Sequence, residues 1–213
     1  MRHLHLLYAG AMRLARTRGL DDVLAVLEDD IQLYLAESAR SRLFVHAGVV
    51  GWRGRAIVLP GHSFSGKTTL VATLVRAGAT YYSDEYAVFD RQGRVHPYAR
   101  PLSLRAGPGG PPRRCSAEEL GGVAGDRPLP VGLIAWSEYR PGEEWRPRSL
   151  HPGQGVLALL AHTVSARRRP AATLATLEQA ASGASVLKGF RGEAAHAAAA
   201  ILSSMGDCGT TSR

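Results

Sequence analysis

Apolar positions divide the chain into segments of different period. Residues 1–19 show weak periodicity and several positive charges, and are read as an arm or a frayed first helix. Asp21 and Asp22 then stand as N-cap and first-turn acids. Val23, Leu24, Val26, Leu27, Ile31, Leu33 and Leu35 recur at near-helical spacing through about Ser38, which predicts a packing helix. At Arg42 the period changes. Residues 43–50 read as a strand, Gly51-Trp52-Arg53-Gly54 as a turn and residues 55–59 as the return strand.

A helical pattern follows over residues 69–77 and ends at Gly78, a C-terminal cap residue. Residues 79–82 and 86–89 read as short strands on either side of Ser83-Asp84-Glu85, and Asp90-Arg91-Gln92-Gly93 as a hairpin turn. Residues 94–105 are extended and punctuated by prolines. Residues 106–130, rich in Gly, Pro and charge, lack periodicity over a length that predicts a lid, a substrate loop or disorder. Strands are expected at 131–136, 145–150 and 185–190, and helices at 153–164, 170–181 and 193–203. The organisation expected is residues 1–40 as arm and packing helix, 41–205 as the main body and 206–213 as a tail, with one compact domain overall.

Between the return strand and the next helix lies Gly61-His62-Ser63-Phe64-Ser65-Gly66-Lys67-Thr68-Thr69, which fits G-x-x-x-x-G-K-[ST] in a strand–loop–helix context. Glycines at this spacing let backbone N–H groups turn inward around phosphate oxygens, and the helix N-terminus adds positive potential. Lys67 is then expected on the β/γ-phosphates and the Thr68 hydroxyl on Mg²⁺. Asp84 and Glu85 follow one helix and one strand later. In a parallel sheet they would reach the same strand edge as the loop. Carboxylates there can orient Mg²⁺ or accept a proton from an attacking hydroxyl. His46 sits inside an otherwise apolar strand beside the loop. His96, Arg100 and Arg105 are candidates for phosphate or substrate contact.

Composition narrows the setting. The chain has 213 residues, 45% hydrophobic and 21% charged, with net charge +8 carried almost wholly by arginine. This balance favours anionic partners, but no aromatic–basic interleaving suggests a nucleic-acid module. Cys115 and Cys208 lie far apart and form no C-x-x-C pair, so neither a zinc site nor a disulfide framework is indicated. No window approaches a membrane span and no long leader-like apolar region opens the chain. A cytoplasmic protein without a membrane partner is expected.

Several segments occur together: Phe44-Val45-His46-Ala47-Gly48-Val49, the glycine-rich loop, Gly78-Ala79-Thr80-Tyr81-Tyr82-Ser83-Asp84-Glu85, Val95-His96-Pro97-Tyr98 and Pro101-Leu102-Ser103-Leu104. Together they resemble the C-terminal catalytic domain of HPr kinase/phosphorylase. The likeness is greater to compact HPr-kinase-related kinases, some of them encoded beside ribosomally made peptides such as lasso peptides. It covers residues 43 to 105 and fades afterwards. It implies an α/β fold of the P-loop, phosphoenolpyruvate-carboxykinase-like type, with a sheet core flanked by helices. It also implies ATP- and Mg²⁺-dependent phosphorylation of a serine hydroxyl on a peptide or protein, and allows a homo-oligomer. By that resemblance His46 lies near the phosphates, Asp84 is the acid/base residue and Glu85 assists the metal. The sequence departs from the family in its Asp-Glu pair, where those enzymes have Asp-Asp, and in Phe64, where they have glycine. The exchange in the acidic pair leaves the roles of Asp84 and Glu85 interchangeable.

Other readings are a small-metabolite kinase, against which the hairpin before the loop argues, and a non-catalytic nucleotide- or peptide-binding module. The run 61–65 is also a near miss to the hydrolase elbow G-x-S-x-G, with Ser65 in place of the last glycine.

Overall fold

The change of period at Arg42 coincides with a division of the chain into two compact units, Met1–Arg40 and Ser41–Arg213, in a computed structural model that describes residues 3–62, 65–105, 110 and 112–206. In the first unit, β1 (His5–Ala9) and β2 (Met12–Thr17) form an antiparallel hairpin, with Gly10 at φ +58 in its turn. Helix α1 spans Leu20–Ser38. The expected arm or frayed helix is therefore a hairpin. Its alternation is weak because most of its residues face solvent on both strands. The cap of α1 is Gly19, not Asp21, and both aspartates lie in the first turn. The Thr17 hydroxyl donates to Asp22 Oδ2 at 2.8 Å and accepts from Gly19 N at 3.2 Å, which fixes the step from strand to helix.

The second unit is a mixed α/β structure. In chain order it contains β3 (Leu43–Trp52), β4 (Arg55–Pro60), α2 (Lys67–Arg76), β5 (Thr80–Ser83), β6 (Tyr86–Phe89), β7 (Val95–His96), β8 (Leu102–Arg105) and β9 (Pro112–Cys115). A 3-10 turn at Glu118–Leu120 follows, then β10 (Val131–Tyr139), β11 (Arg148–Leu150), α3 (Pro152–Leu160), α4 (Pro170–Ser182), β12 (Ser185–Arg191) and α5 (Ala194–Ser204). The eight-stranded sheet runs β11-β12-β10-β4-β3-β6-β7, with β5 also on β3. Pairs β4–β10 and β10–β12 are parallel, while β3 is antiparallel to β4, β5 and β6.

Alternation along the strands sends one set of side chains to each face. On one face Ile57, Leu59 and Leu133 pack with Leu70 and Leu74 of α2 and Ile201 of α5. On the other, Val45, Val58 and Ile134 pack with Leu159 of α3 and Leu177 of α4. The sheet is thus covered on both sides, and burial of these aliphatic side chains, about 1.5–3 kcal/mol each, holds the strand ends where the loops leave them.

Two further expectations need correction. The acidic pair does not reach the loop through neighbouring parallel strands, because β3 lies between β4 and β5; two successive antiparallel pairings restore the direction. The described part of 106–130 is ordered through distant partners: Tyr81 bridges Ala124, Val95 bridges Leu129, and β9 pairs with β8. Cys115 is a buried free thiol. No helix among the described residues is long and apolar enough to cross a membrane.

Candidate functional site

The glycine-rich loop leaves the sheet where β4 ends. Ala47 pairs with Pro60, and Gly61 N donates to His46 O at 3.4 Å. Ser63 and Phe64 lie outside the described residues. The loop re-enters regular structure at Gly66, whose φ of +77 is left-handed backbone that favours glycine. A Cβ there would lie 2.6 Å from Arg191 Nη2, so a side chain at this position would also push the guanidinium aside.

Lys67 opens helix α2, and its Nζ donates to the carbonyls of Gly61 (2.8 Å) and His62 (2.6 Å), folding the side chain across the loop. Burial lowers its pKa, and Glu85 and Asp84 oppose that by favouring the ammonium. Both acids therefore act on Lys67 although they arrive from a different strand. Thr68 hydrogen-bonds Asp84 through its side chain. Thr69 is exposed, and its carbonyl accepts the Thr73 hydroxyl at 2.8 Å.

Asp84 and Glu85 form the turn between β5 and β6. The buried Ser83 hydroxyl shapes it by accepting from the N–H groups of Glu85 (3.2 Å) and Tyr86 (3.1 Å). Glu85 is exposed, whereas Asp84 is half-buried. Burial pushes the Asp84 carboxyl above its ordinary range, and hydrogen bonds from Thr68 and Tyr81 hold the rise back. The Tyr81 hydroxyl lies 3.4 Å from Asp84 Oδ1 and donates to Arg100 O at 2.7 Å. Burial, then the Asp84 charge, keeps that phenol protonated by raising its pKa.

His46 pairs with Tyr86 across β3 and β6, with ring centroids 4.6 Å apart. Burial lowers its pKa, followed by repulsion from Lys67 and His62. His46, Lys67, Thr68, Asp84 and Glu85 therefore meet around the loop. Arg100 approaches through its backbone carbonyl. Arg105 lies exposed at the end of β8, paired with Pro112. His96 is structural: its Nε2 lies 2.9 Å from Asp90 Oδ2, in a turn that Asp90 also ties to Arg94 and Gln92.

Two residues that the sequence did not single out join the site. Arg191, 3% exposed at the end of β12, donates from Nη2 to the carbonyls of Gly66 (2.9 Å) and Ser65 (3.3 Å), and from Nε to Ser137 Oγ (3.3 Å). His162, 7% exposed, packs its ring edge-on to His62 with centroids 4.5 Å apart. Nothing local in the sequence marks either residue, since each meets the loop across a long separation.

Among the described residues no group of three or more His, Cys, Asp and Glu gathers to hold a metal ion. The Thr68 hydroxyl beside Asp84, with Glu85 next in the chain, is still a hard oxygen donor set of the kind Mg²⁺ uses when substrate phosphates and waters complete its shell. Around the loop stand backbone amides at a helix N-terminus, a half-buried ammonium and, from the β5–β6 turn, a carboxylate of raised basicity. That combination can hold an anion and accept a proton beside it.

No family model matches the chain, and no curated protein matches it. Among solved structures, the HPr(Ser) kinase/phosphatase from Coxiella burnetii is similar over 76% of this chain and 92% of that one, at 14% identity and a TM-score of 0.39.

Proposed function

We propose that the chain is a kinase that transfers the terminal phosphoryl group of ATP, with Mg²⁺, to a serine or other alcohol hydroxyl on a peptide or protein. The observation that carries this reading is the meeting of Lys67 with the Thr68–Asp84 pair at the mouth of the loop. The loop amides and Lys67 bind the phosphates and offset the charge that builds on the transferred group. Thr68 with Glu85 would hold Mg²⁺, which supplies further neutralisation of phosphate charge. The acceptor oxygen bonds to phosphorus, the bond to the leaving diphosphate breaks, and the hydroxyl proton passes to Asp84. Its raised pKa makes it a better base than an ordinary carboxylate. His46 stands beside Lys67 as a neutral hydrogen-bonding group near the phosphates.

The test is mass spectrometry of serine-containing peptides and a panel of small alcohols incubated with the protein, ATP and Mg²⁺. Phosphate on a peptide hydroxyl is expected. Phosphate on a small alcohol alone would mean a metabolite kinase. Nucleotide binding with no acceptor modified would mean a binding module.

A further inference from the structure

The phosphate loop vacates a place in the sheet, and a second segment takes it. β3 pairs with β4 only as far as Ala47↔Pro60. On that side its earlier residues pair with residues 162–164: His46 N donates to His162 O (2.8 Å), Val45 bridges Thr163, and Val164 N donates to Phe44 O (3.1 Å). This seats His162 beside the departing loop, its ring edge-on to His62.

Three imidazoles, from His46, His62 and His162, together with the Lys67 ammonium, thus act on one another from four segments of the chain. The carboxylates of Asp84 and Glu85 act on Lys67. Among the described residues, His162 Nδ1 is buried and has no hydrogen-bond partner. Native structures rarely leave such an atom unsatisfied, since the loss costs as much as a broken hydrogen bond.

We propose that His162, with His62, forms an oxyanion subsite beside the phosphate loop, in which His162 Nδ1 is the hydrogen-bonding group that the ligand completes. The inference rests on the kinase reading for its setting and deepens it. The oxyanion belongs either to the terminal phosphoryl group of the donor or to an acidic group on the acceptor. A donor role for the ring fits the local field, because His62, Lys67 and His46 act on His162 as basic neighbours. An oxyanion there would relieve the crowding of like groups.

The test is the affinity of the full chain for inorganic phosphate by calorimetry, measured alone, with saturating ADP and with a non-hydrolysable ATP analogue. The variants are His162→Leu and His162→Asn, whose amide stands close to where Nδ1 lies. Phosphate should bind the wild type, weaken at least tenfold in His162→Leu and recover substantially in His162→Asn, with ADP affinity unchanged in both. If ADP permits phosphate binding and the ATP analogue abolishes it, the subsite takes the donor's terminal group. If phosphate binds in the presence of the analogue, it serves the acceptor. Equal phosphate affinity in wild type and His162→Leu, or no phosphate binding under any condition, overturns the proposal. Should His162→Leu fail to fold, a His162→Asn protein that is folded and has lost phosphate affinity overturns the role of Nδ1. Failure of ADP and ATP to bind would instead strike at the kinase reading, while the phosphate-alone arm still decides the subsite.

Discussion

Arg191 Nη2 donates at 2.9 Å to the carbonyl of Gly66, so the end of the last strand holds the turn that starts the helix after the loop. The same guanidinium reaches Ser65 O, Ser137 Oγ and Gly192 O, leaving little freedom on either side. Replacing Gly66 with alanine forces a Cβ to within 2.6 Å of that nitrogen and puts an L-residue at φ +77. The backbone cost alone is about 1–2 kcal/mol. Chemical denaturation of Gly66→Ala should show at least that loss, with nucleotide affinity reduced more than tenfold. Wild-type affinity in this variant would mean that the loop does not need this shape.

Lys67 is held over the loop by two carbonyls in a partly desolvated position. A ligand phosphate would replace those carbonyls as its partner. Lys67→Ala should lower phosphate transfer by roughly 10²-fold or more, as loss of a transition-state charge donor does elsewhere. Thermal melting of the unliganded variant should fall by no more than the two Nζ–carbonyl hydrogen bonds are worth, about 1–3 kcal/mol. Transfer assays alongside melting curves check both halves.

Asp90 shows what a structural carboxylate looks like here. Burial would raise its pKa, but hydrogen bonds from His96 and Arg94 outweigh it, and the pKa falls. Asp90→Ala should cost about 1–3 kcal/mol of stability by freeing buried donors, with transfer per folded molecule unchanged. A specific loss of turnover would restore His96 as a functional candidate.

Acid should destabilise the fold through its buried histidines. Burial, then repulsion from His62, Lys67 and His46, pushes His162 down from 6.5 to about 4, and His46 is lowered as well. A lowered histidine pKa means that the unfolded chain binds more protons in this window. Stability from His162 is therefore fully present above pH 6.5 and is lost as pH falls toward 4. The loss for His162 amounts to roughly 3 kcal/mol. Asp84 works in the opposite sense: its pKa is raised, so its contribution is present at low pH and is lost as pH rises through the folded value. Denaturant midpoints between pH 7 and 4 should fall in the wild type and fall less in His162→Leu.

The division between what the chain discloses and what it hides follows contact range. The hairpin of β3 and β4, the loop and helix α2 are contiguous, and their period-two and helical patterns with Gly54, Gly66 and Gly78 as punctuation are visible in one reading of residues 43–78. Asp84 and Glu85 were legible because only a helix and a strand separate them from Lys67. His162 and Arg191 were not, because their partners lie about a hundred residues or more earlier and no local pattern sets their pairing. The order of the stretch after Cys115 was not legible for the same reason. Its order comes from bridges to Tyr81 and Val95 rather than from any periodicity of its own. In the first hairpin the failure was different, since strands largely exposed on both faces leave little hydrophobic alternation to read.

In the proposed reaction Asp84 takes the acceptor's proton while the loop holds the nucleotide, and Asp84→Asn separates the two. The measurement is phosphate incorporation from labelled ATP into the acceptor found in the peptide screen, with nucleotide affinity measured on the same preparations. Asp84→Asn should keep near wild-type nucleotide affinity and lose at least ~100-fold in transfer, the usual range for loss of a positioned base. Full transfer by Asp84→Asn, or a wild-type protein that binds no nucleotide, would contradict that reaction.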